Sequence, residues 1–356
     1  MTALTGTGAP RAPGLVDVAR VAGVSRQTVS RVVNGSGHIR PATRERVRLA
    51  IDQLGYRPNT AARALVSGRS GTLGIICASS HLYGPARIRT AVEQACRDSG
   101  YVAASFELTA TTEAAIAQAV EHLLQVQVEG IVLIAGDEHA VDVNRSRAAR
   151  VPLVAVEGNI SGHLSVGVDQ VHGAQLATKH LLSLGHRIVA HVTGPSASPE
   201  AQARLRGWRQ AMAVLGLRDT NVIEGDWSAA SGYRAGLELA ETPDVTAVFA
   251  ANDQMALGLL RALHEAGRCV PHDVSVVGFD DVPEAEYLVV PLTTVRQDFD
   301  GVGRAAVDRV THLLRGSEHT PAAPPLLESA LVVRSSTAPP RAGRFMTGRA
   351  GRAAPS

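Results

Sequence analysis

The chain has 356 residues, is 45% apolar, and carries 35 basic against 33 acidic side chains for a formal net charge of +2. That length permits a large core and more than one domain. No uninterrupted apolar run reaches the ~20 residues that span a bilayer, and the opening MTALTGTGAPRAPG has no apolar signal-peptide core, so a cytoplasmic protein with no membrane partner is expected.

The charge is unevenly spread. Up to Ser70, eleven arginines stand against only Asp17, Glu45 and Asp52, a net of +8, while the remaining 24 basic and 30 acidic residues give −6. A basic head on a mildly acidic body fits a nucleic-acid module joined to something else. Cys77, Cys96 and Cys269 are odd in number and lack metal-ligand spacing, which predicts reduced, buried thiols.

Residues 1–14 are small, contain Pro and Gly, and read as a disordered tail. A headpiece follows over 15–58. Val18, Val21, Ala22 and Val24, then Val29, Val32 and Val33, recur at helical spacing around a break at Gly23. That pattern predicts helix, tight turn, helix. Ser25 is placed to cap the second helix. This helix carries Arg26, Gln27, Thr28, Ser30 and Arg31 on its free faces. Arg forks onto guanine O6 and N7 and Gln pairs with adenine N6 and N7, so these side chains suit a major groove. Asn34 and His38 follow as candidate DNA-backbone contacts. A third helix, about Pro41 to Leu54, is predicted to pack through Val47, Leu49, Ala50, Ile51 and Leu54.

Residues 59–70 read as a hinge helix and linker. Asn59 can cap a short helix from Thr60 to Val66, which Gly68 ends. Seven residues do not hold an isolated helix in water, so this one is expected to fold only against DNA or a partner copy.

From Gly71 the pattern changes. The apolar runs GIIC, YVAASF, GIVLIAG and VPLVAVEG alternate with amphipathic stretches near 86–99 and 113–127. IVAHVTG, NVIEGD, AVFAAND and VSVVGFDD then alternate with 171–184, 200–215, 229–240 and 254–266. Continuous apolar strands separated by helices predict an α/β fold with parallel sheet, in two subdomains. Residues 337–356, rich in breakers and without Leu, Ile or Val, read as a second disordered tail.

Ligands of open parallel sheets bind outside the carboxyl ends of the strands. Glu157, Arg204, Trp227, Asn252, Asp253, Asp280 and Asp281 follow such ends, and Gln297 and Phe299 sit at the last crossover. A carboxylate accepts two O–H bonds and a guanidinium donates two N–H bonds, so Asp and Arg together bracket vicinal hydroxyls. Trp227 offers a flat face to a sugar ring, its alternative being core filler. Asp280 and Asp281 as a catalytic acid/base pair is the weaker reading, because adjacent residues at a strand end point in different directions. There is no Walker A loop, GxSxG elbow, dinucleotide fingerprint or His metal array. No cofactor and no enzymatic activity are expected.

VDVARVAGVSRQTVSRVVN, TRERV, GYRPN and AARAL, with EGDWSAASG, FAANDQMALG, SVVGFDD and PLTTVRQDF further on, resemble the lactose repressor family of bacterial transcription factors over about residues 15 to 336. The later segments are closer to its lactose-regulating type than to its purine or ribose types. The resemblance implies a helix-turn-helix headpiece and a two-lobed core of the type I periplasmic-binding-protein fold, crossed three times by the chain. The implied core covers 71–336, with one lobe of about 71–168 and 299–326 and another of about 169–298 and 327–336. It implies DNA contacts from Leu15, Ser25, Asn59, Ala62 and Leu65 beside those already named, with Leu65 wedged into the minor groove. It implies effector contacts from Glu157, Arg204, Trp227, Asn252, Asp280, Gln297 and Phe299, with Leu82, Pro85 and Ile88 as the apolar side of the pocket. Four positions depart from the lactose type: Arg26 stands for tyrosine, Glu157 for aspartate, Val168 for an aromatic residue and Ile134 for asparagine. The expected protein is a homodimeric repressor of sugar-utilisation genes, released from palindromic double-stranded operator DNA by a sugar such as a β-galactoside. A purine-type regulator with a co-repressor, or a sugar-binding protein without DNA function, are the alternatives.

Overall fold

The computed structural model describes residues 13–34, 37–57, 69–134, 151–156, 165–316 and 326–341. The chain divides into two compact units, Met1–Ser70 and Gly71–Ser356.

The first unit contains α1 (Leu15–Ala22), α2 (Arg26–Val33) and α3 (Pro41–Leu54). Gly23 ends α1 in the left-handed region at φ 63°, where a residue with a Cβ is disfavoured. Ser25 then caps α2, its Oγ accepting from Thr28 N at 3.1 Å. Val18, Ala19, Ala22, Val29, Val47, Ala50 and Tyr56 form the core, with Leu15, Val24, Val32, Val33, Ile51 and Leu54 around it. Leu49, expected to pack, lies outside at 60% exposed, and Val21, part of the helical periodicity, is 46% exposed. At 100° per residue Leu49 falls about 200° from Val47, on the opposite side of α3, and Val21 falls outside the arc of Val18, Ala19 and Ala22.

Among the described residues, the second unit holds two sheets. The first runs β2-β1-β3-β4-β5, all parallel, from β1 (Thr72–Ala78), β2 (Val102–Leu108), β3 (Gly130–Ile134), β4 (Leu153–Val156) and β5 (Ser165–Val166). Side chains alternate along β1. Leu73, Ile75 and Cys77 pack with α4 (Tyr83–Asp98) and α10 (Phe299–Leu314), while Ile76 and Ala78 pack with α5 (Glu113–Gln125) on the other face. Both faces are covered, which is why the strands read as unbroken apolar runs.

The second sheet runs β11-β10-β9-β8-β6-β7. It comprises β6 (Val189–Thr193), β7 (Val222–Glu224), β8 (Ala247–Ala250), β9 (Ser275–Asp280), β10 (Thr293–Arg296) and β11 (Ala330–Val332). Only the β10–β11 pairing is antiparallel. Helices α6 (Gln170–Ser183) and α7 (Pro199–Val214) cover one face, and α8 (Ala229–Ala240) and α9 (Asp253–Glu265) the other.

The chain passes between the sheets after β5, after β10 and before β11. The first and third crossings run side by side: Val168 bridges Leu327, Asp169 N donates to Leu327 O at 3.0 Å, and Leu327 N to Gly167 O at 2.9 Å.

Two expectations are corrected. Thr337–Arg341 are not free tail: Ala338 N donates to Ser275 Oγ at 3.0 Å, Ala338 O lies 2.9 Å from His186 Nε2, and Arg341 pairs with Asp273 at 3.0 Å. Backbone groups there find buried partners in Ser275 of β9 and in His186 just before β6, which composition does not reveal. Cys77 and Cys96 are buried, but Cys269 is exposed, because it stands in the turn beyond α9.

Candidate functional site

Of the headpiece candidates, Arg26, Gln27, Arg31 and His38 are exposed. No acidic side chain lies in the first turn of α2, where exposed Arg26 adds to the helix's positive end, while exposed Arg31 stands in its last turn. Thr28 Oγ1 shares a 2.9 Å bond with Ser25 Oγ, and Asn34 Nδ2 donates to Ser30 Oγ at 3.3 Å. Ser25 and Ser30 therefore already have structural partners. Leu15 is half-buried against the headpiece core. Asn59, Ala62, Leu65 and Glu157 lie outside the described residues.

In the second unit, the loops after β6, β7, β8 and β9 bring a polar cluster together. Its centre is Arg204, on the second turn of α7 rather than at its opening, and buried. Nε donates to Gln170 Oε1 at 2.9 Å, and Nη1 donates to Ala251 O. The guanidinium lies 3.9 Å from the Phe279 ring centroid and 5.4 Å from that of Trp227, stacked as cation–π pairs are. Nη2 stands 3.7 Å from Asp280 Oδ1, too far for a hydrogen bond. A ligand oxygen entering there can accept from the arginine and donate to the aspartate.

Burial pushes the Asp280 carboxyl up to about 6, against the opposing pull of Arg204 and the Gln297 amide. Gln297 Nε2 donates to Asp280 Oδ1 at 2.7 Å. Asp253 is pushed further, to about 8, by burial and then by Asp280. It accepts from Thr294 Oγ1 at 2.6 Å and Val282 N at 2.9 Å, which makes it a structural buried acid beside the cluster. Asp281 turns away and pairs with Arg296 at 2.6 Å and Arg334 at 2.7 Å. The two adjacent aspartates thus serve different neighbours and form no acid/base pair.

Asn252 caps α9, its Oδ1 accepting from Met255 N at 2.9 Å, and its Nδ2 holds Trp227 O at 3.0 Å. Trp227 is half-buried with φ 70°. The other tryptophan, Trp208, is the one that fills core. Phe299 starts α10 and meets Tyr83 edge-on at 5.9 Å. Tyr83 touches the cores of both lobes, and burial raises its hydroxyl pKa. Leu82 and Pro85 are half-buried at the start of α4, while Ile88 is sealed in the first lobe's core. Gly194 lies so close to the Trp227 ring that an added Cβ would meet it at 2.5 Å or less. Sequence reasoning missed Gln170, Tyr83 and Gly194: the first two look like ordinary helix starts, whereas Gly194, directly after an apolar strand, carried a usable signal.

Residues 14–59 match the family described as bacterial regulatory proteins, lacI family, and residues 178–337 match a periplasmic binding protein-like domain. The chain is 34% identical to the lactose operon repressor of Escherichia coli (strain K12), over 92% of this chain and 93% of that one. It is 38% identical to the regulator CelR of Thermobifida fusca, over 92% and 98%. The solved lac repressor dimer bound to operator and the anti-inducer ONPF superposes with a TM-score of 0.84 at 34% identity, covering 92% of this chain and 100% of that one. A CelR–cellobiose complex gives 0.68 at 34%, covering 91% and 99%. The chain belongs to the lacI family of bacterial regulatory proteins and is a DNA-binding transcriptional repressor of that family.

Proposed function

We propose that this repressor binds a palindromic operator of sugar-utilisation genes as a homodimer and is released from it by a sugar held between its lobes. A β-glycoside is the ligand class, with β-galactosides the first to test. The observation that carries the reading is the buried Arg204–Asp280 pair, held 3.7 Å apart beside the Trp227 face. Such a pair brackets a hydroxyl, and an indole covers the apolar face of a pyranose. The relatives are consistent with it: one solved structure is a lac repressor bound to ONPG and another a CelR–cellobiose complex. One solved relative is a lac repressor dimer bound to operator, which supports self-association. One recognition helix per copy also favours a dimer on two half-sites. Trp227 would stack a purine equally well, so a purine co-repressor is the second reading.

Ligand and operator are coupled reciprocally: whatever factor the sugar takes from operator affinity, the operator takes from sugar affinity. The test is operator binding by fluorescence anisotropy during titration with isopropyl thiogalactoside, lactose, allolactose, galactose, cellobiose and hypoxanthine. Arg204→Ala should bind operator as the wild type does. It should need ten- to a hundredfold more sugar for release, since each charged hydrogen bond contributes about 1.5–3 kcal/mol. Release at wild-type sugar concentrations would remove Arg204 from the site. A ligand that tightens DNA binding, or a response to hypoxanthine alone, would favour the purine reading.

A further inference from the structure

Four buried side chains of the cleft bond in series. Arg204 Nε donates to Gln170 Oε1 at 2.9 Å, Gln170 Nε2 to Gln297 Oε1 at 2.8 Å, and Gln297 Nε2 to Asp280 Oδ1 at 2.7 Å. Arg204 Nη2 comes back to 3.7 Å from that same oxygen. None of the four is more than 8% exposed. The polarity of the series is fixed by its ends. Each amide must turn its oxygen toward the guanidinium and its NH2 toward the carboxylate, because flipping either sets like against like. In a low-dielectric interior such bonds polarise one another, so a change at one end is felt along the chain.

The two amides also occupy particular places in the fold. Gln170 is the first residue of α6, immediately after the first crossing between the lobes. Its neighbour Asp169 is tied by backbone to Leu327 on the third crossing. Gln297 stands on the second crossing, between β10 and α10. The Gln170–Gln297 bond is therefore a side-chain tie between crossings through which any rotation of one lobe on the other must pass. Further, Gln170 is what holds the Nε edge of Arg204, leaving Nη2 free to face Asp280.

We propose that Gln170 is a positioning residue that orients Arg204 for the ligand and links occupancy of the Arg204–Asp280 gap to the chain crossings. A ligand hydroxyl in the gap competes for Asp280 Oδ1 with Gln297. The weakened Gln297–Asp280 bond then changes the amide tie between the first and second crossings. This rests on the ligand reading above and adds to it the residue that transmits the signal.

The experiment compares wild type, Gln170→Met and Arg204→Ala, with isopropyl thiogalactoside and cellobiose as probes. It reads probe affinity by calorimetry and operator affinity with and without saturating probe. Methionine keeps the length of glutamine without its polar ends. Gln170→Met should bind operator as wild type does without probe and lose about tenfold in probe affinity. Its operator-release ratio, about 5- to 150-fold in a coupled wild type, should fall toward one. A variant matching wild type in both probe affinity and release ratio overturns the inference and, if Arg204→Ala is impaired, leaves the ligand reading standing. A parallel loss of operator affinity without probe means a purely structural role and also overturns it. If neither probe releases wild type from DNA, or Arg204→Ala responds normally, the ligand reading falls and this one with it. Should Gln170→Met fail to fold, Gln170→Asn, with the amide one methylene too short to reach both partners, makes the same comparison.

Discussion

Gly194 directly follows β6 and lies against the indole ring of Trp227. A Cβ added there would meet three atoms of the indole ring, the most distant at 2.5 Å. Ordinary carbon contacts lie at about 3.5–4.0 Å, so in Gly194→Ala the ring must move by about 1 Å or more. Leaving it in place would cost about 1–3 kcal/mol of overpacking. Trp227 is half-buried and has a way out toward solvent, so displacement of the ring is the expected response. The loss to the ligand is then the stacking contribution, about 0.5–1.5 kcal/mol, or about 2- to 12-fold in sugar affinity. Operator affinity without sugar should not change. The chain has two tryptophans, and Trp208 is fully buried elsewhere, so a shift in emission reports Trp227. If the effect runs through Trp227, Gly194→Ala combined with Trp227→Ala should bind sugar no worse than Trp227→Ala alone. Additive losses, or an unchanged spectrum with unchanged affinity, would refute the reasoning.

The raised Asp253 carboxyl gives a pH prediction. Its folded value of about 8 stands above the ordinary 3.8, so between those values the folded state holds a proton that the unfolded state has released. Stability from this group is therefore greatest near pH 4 and declines as pH rises to about 8. His180, His186 and His191, all lowered by desolvation, slope the other way below pH 6.5. The quantity to measure is thus the urea-midpoint difference between wild type and Asp253→Asn, which should shrink from pH 5 to pH 8; a growing difference would contradict the assignment. At the other end of the chain, deletion after Arg341 should leave the melting temperature unchanged. Deletion after Ser336 should lower stability by about 1–3 kcal/mol, since it strips partners from His186, Ser275 and Asp273. Light scattering should show a dimer in both truncations, because residues 337–356 lack the apolar heptads of a coiled coil.

Much of the fold was legible because its signals are local and repeated. Apolar runs four or five residues long, such as Gly130–Ile134, sit between amphipathic helices, and both faces of each sheet are covered. Where the signal thins, reading fails. β10 is Thr-Thr-Val-Arg and β11 only three residues, so neither stands out as an apolar run, and β5 has two residues. Leu49 shows a different limit: an apolar residue in an amphipathic helix was counted into the core although its azimuth places it outside. In the cleft, the strand-end rule located Arg204, Trp227, Asn252 and Asp280, which the structure brings together. It passed over Gln170, whose importance lies in partners 34 and 127 positions away. No local pattern encodes such a meeting.

The backbone supplies what side-chain patterns could not. Among the described residues, five other than glycine have positive φ: Ser79, Gln127, Trp227, Asp280 and Asp281. Trp227, Asp280 and Asp281 belong to the loops around the cleft, and Ser79 directly follows β1. Such conformations cost about 1–3 kcal/mol each and persist only where surroundings hold them. The surroundings here can be named. Asn252 Nδ2 grips the carbonyl of Trp227, and Arg296 and Arg334 clamp Asp281 from two sides. With Asp281 fixed, the turn at Asp280, φ 109°, directs its carboxylate toward Arg204 and Gln297. Adjacent aspartates that read alike in sequence thus divide the work, one anchoring a strained turn and the other presented by it. The strain gathers where a ligand would be gripped rather than in the packed cores. That is the distribution expected if the loops are preorganised for binding.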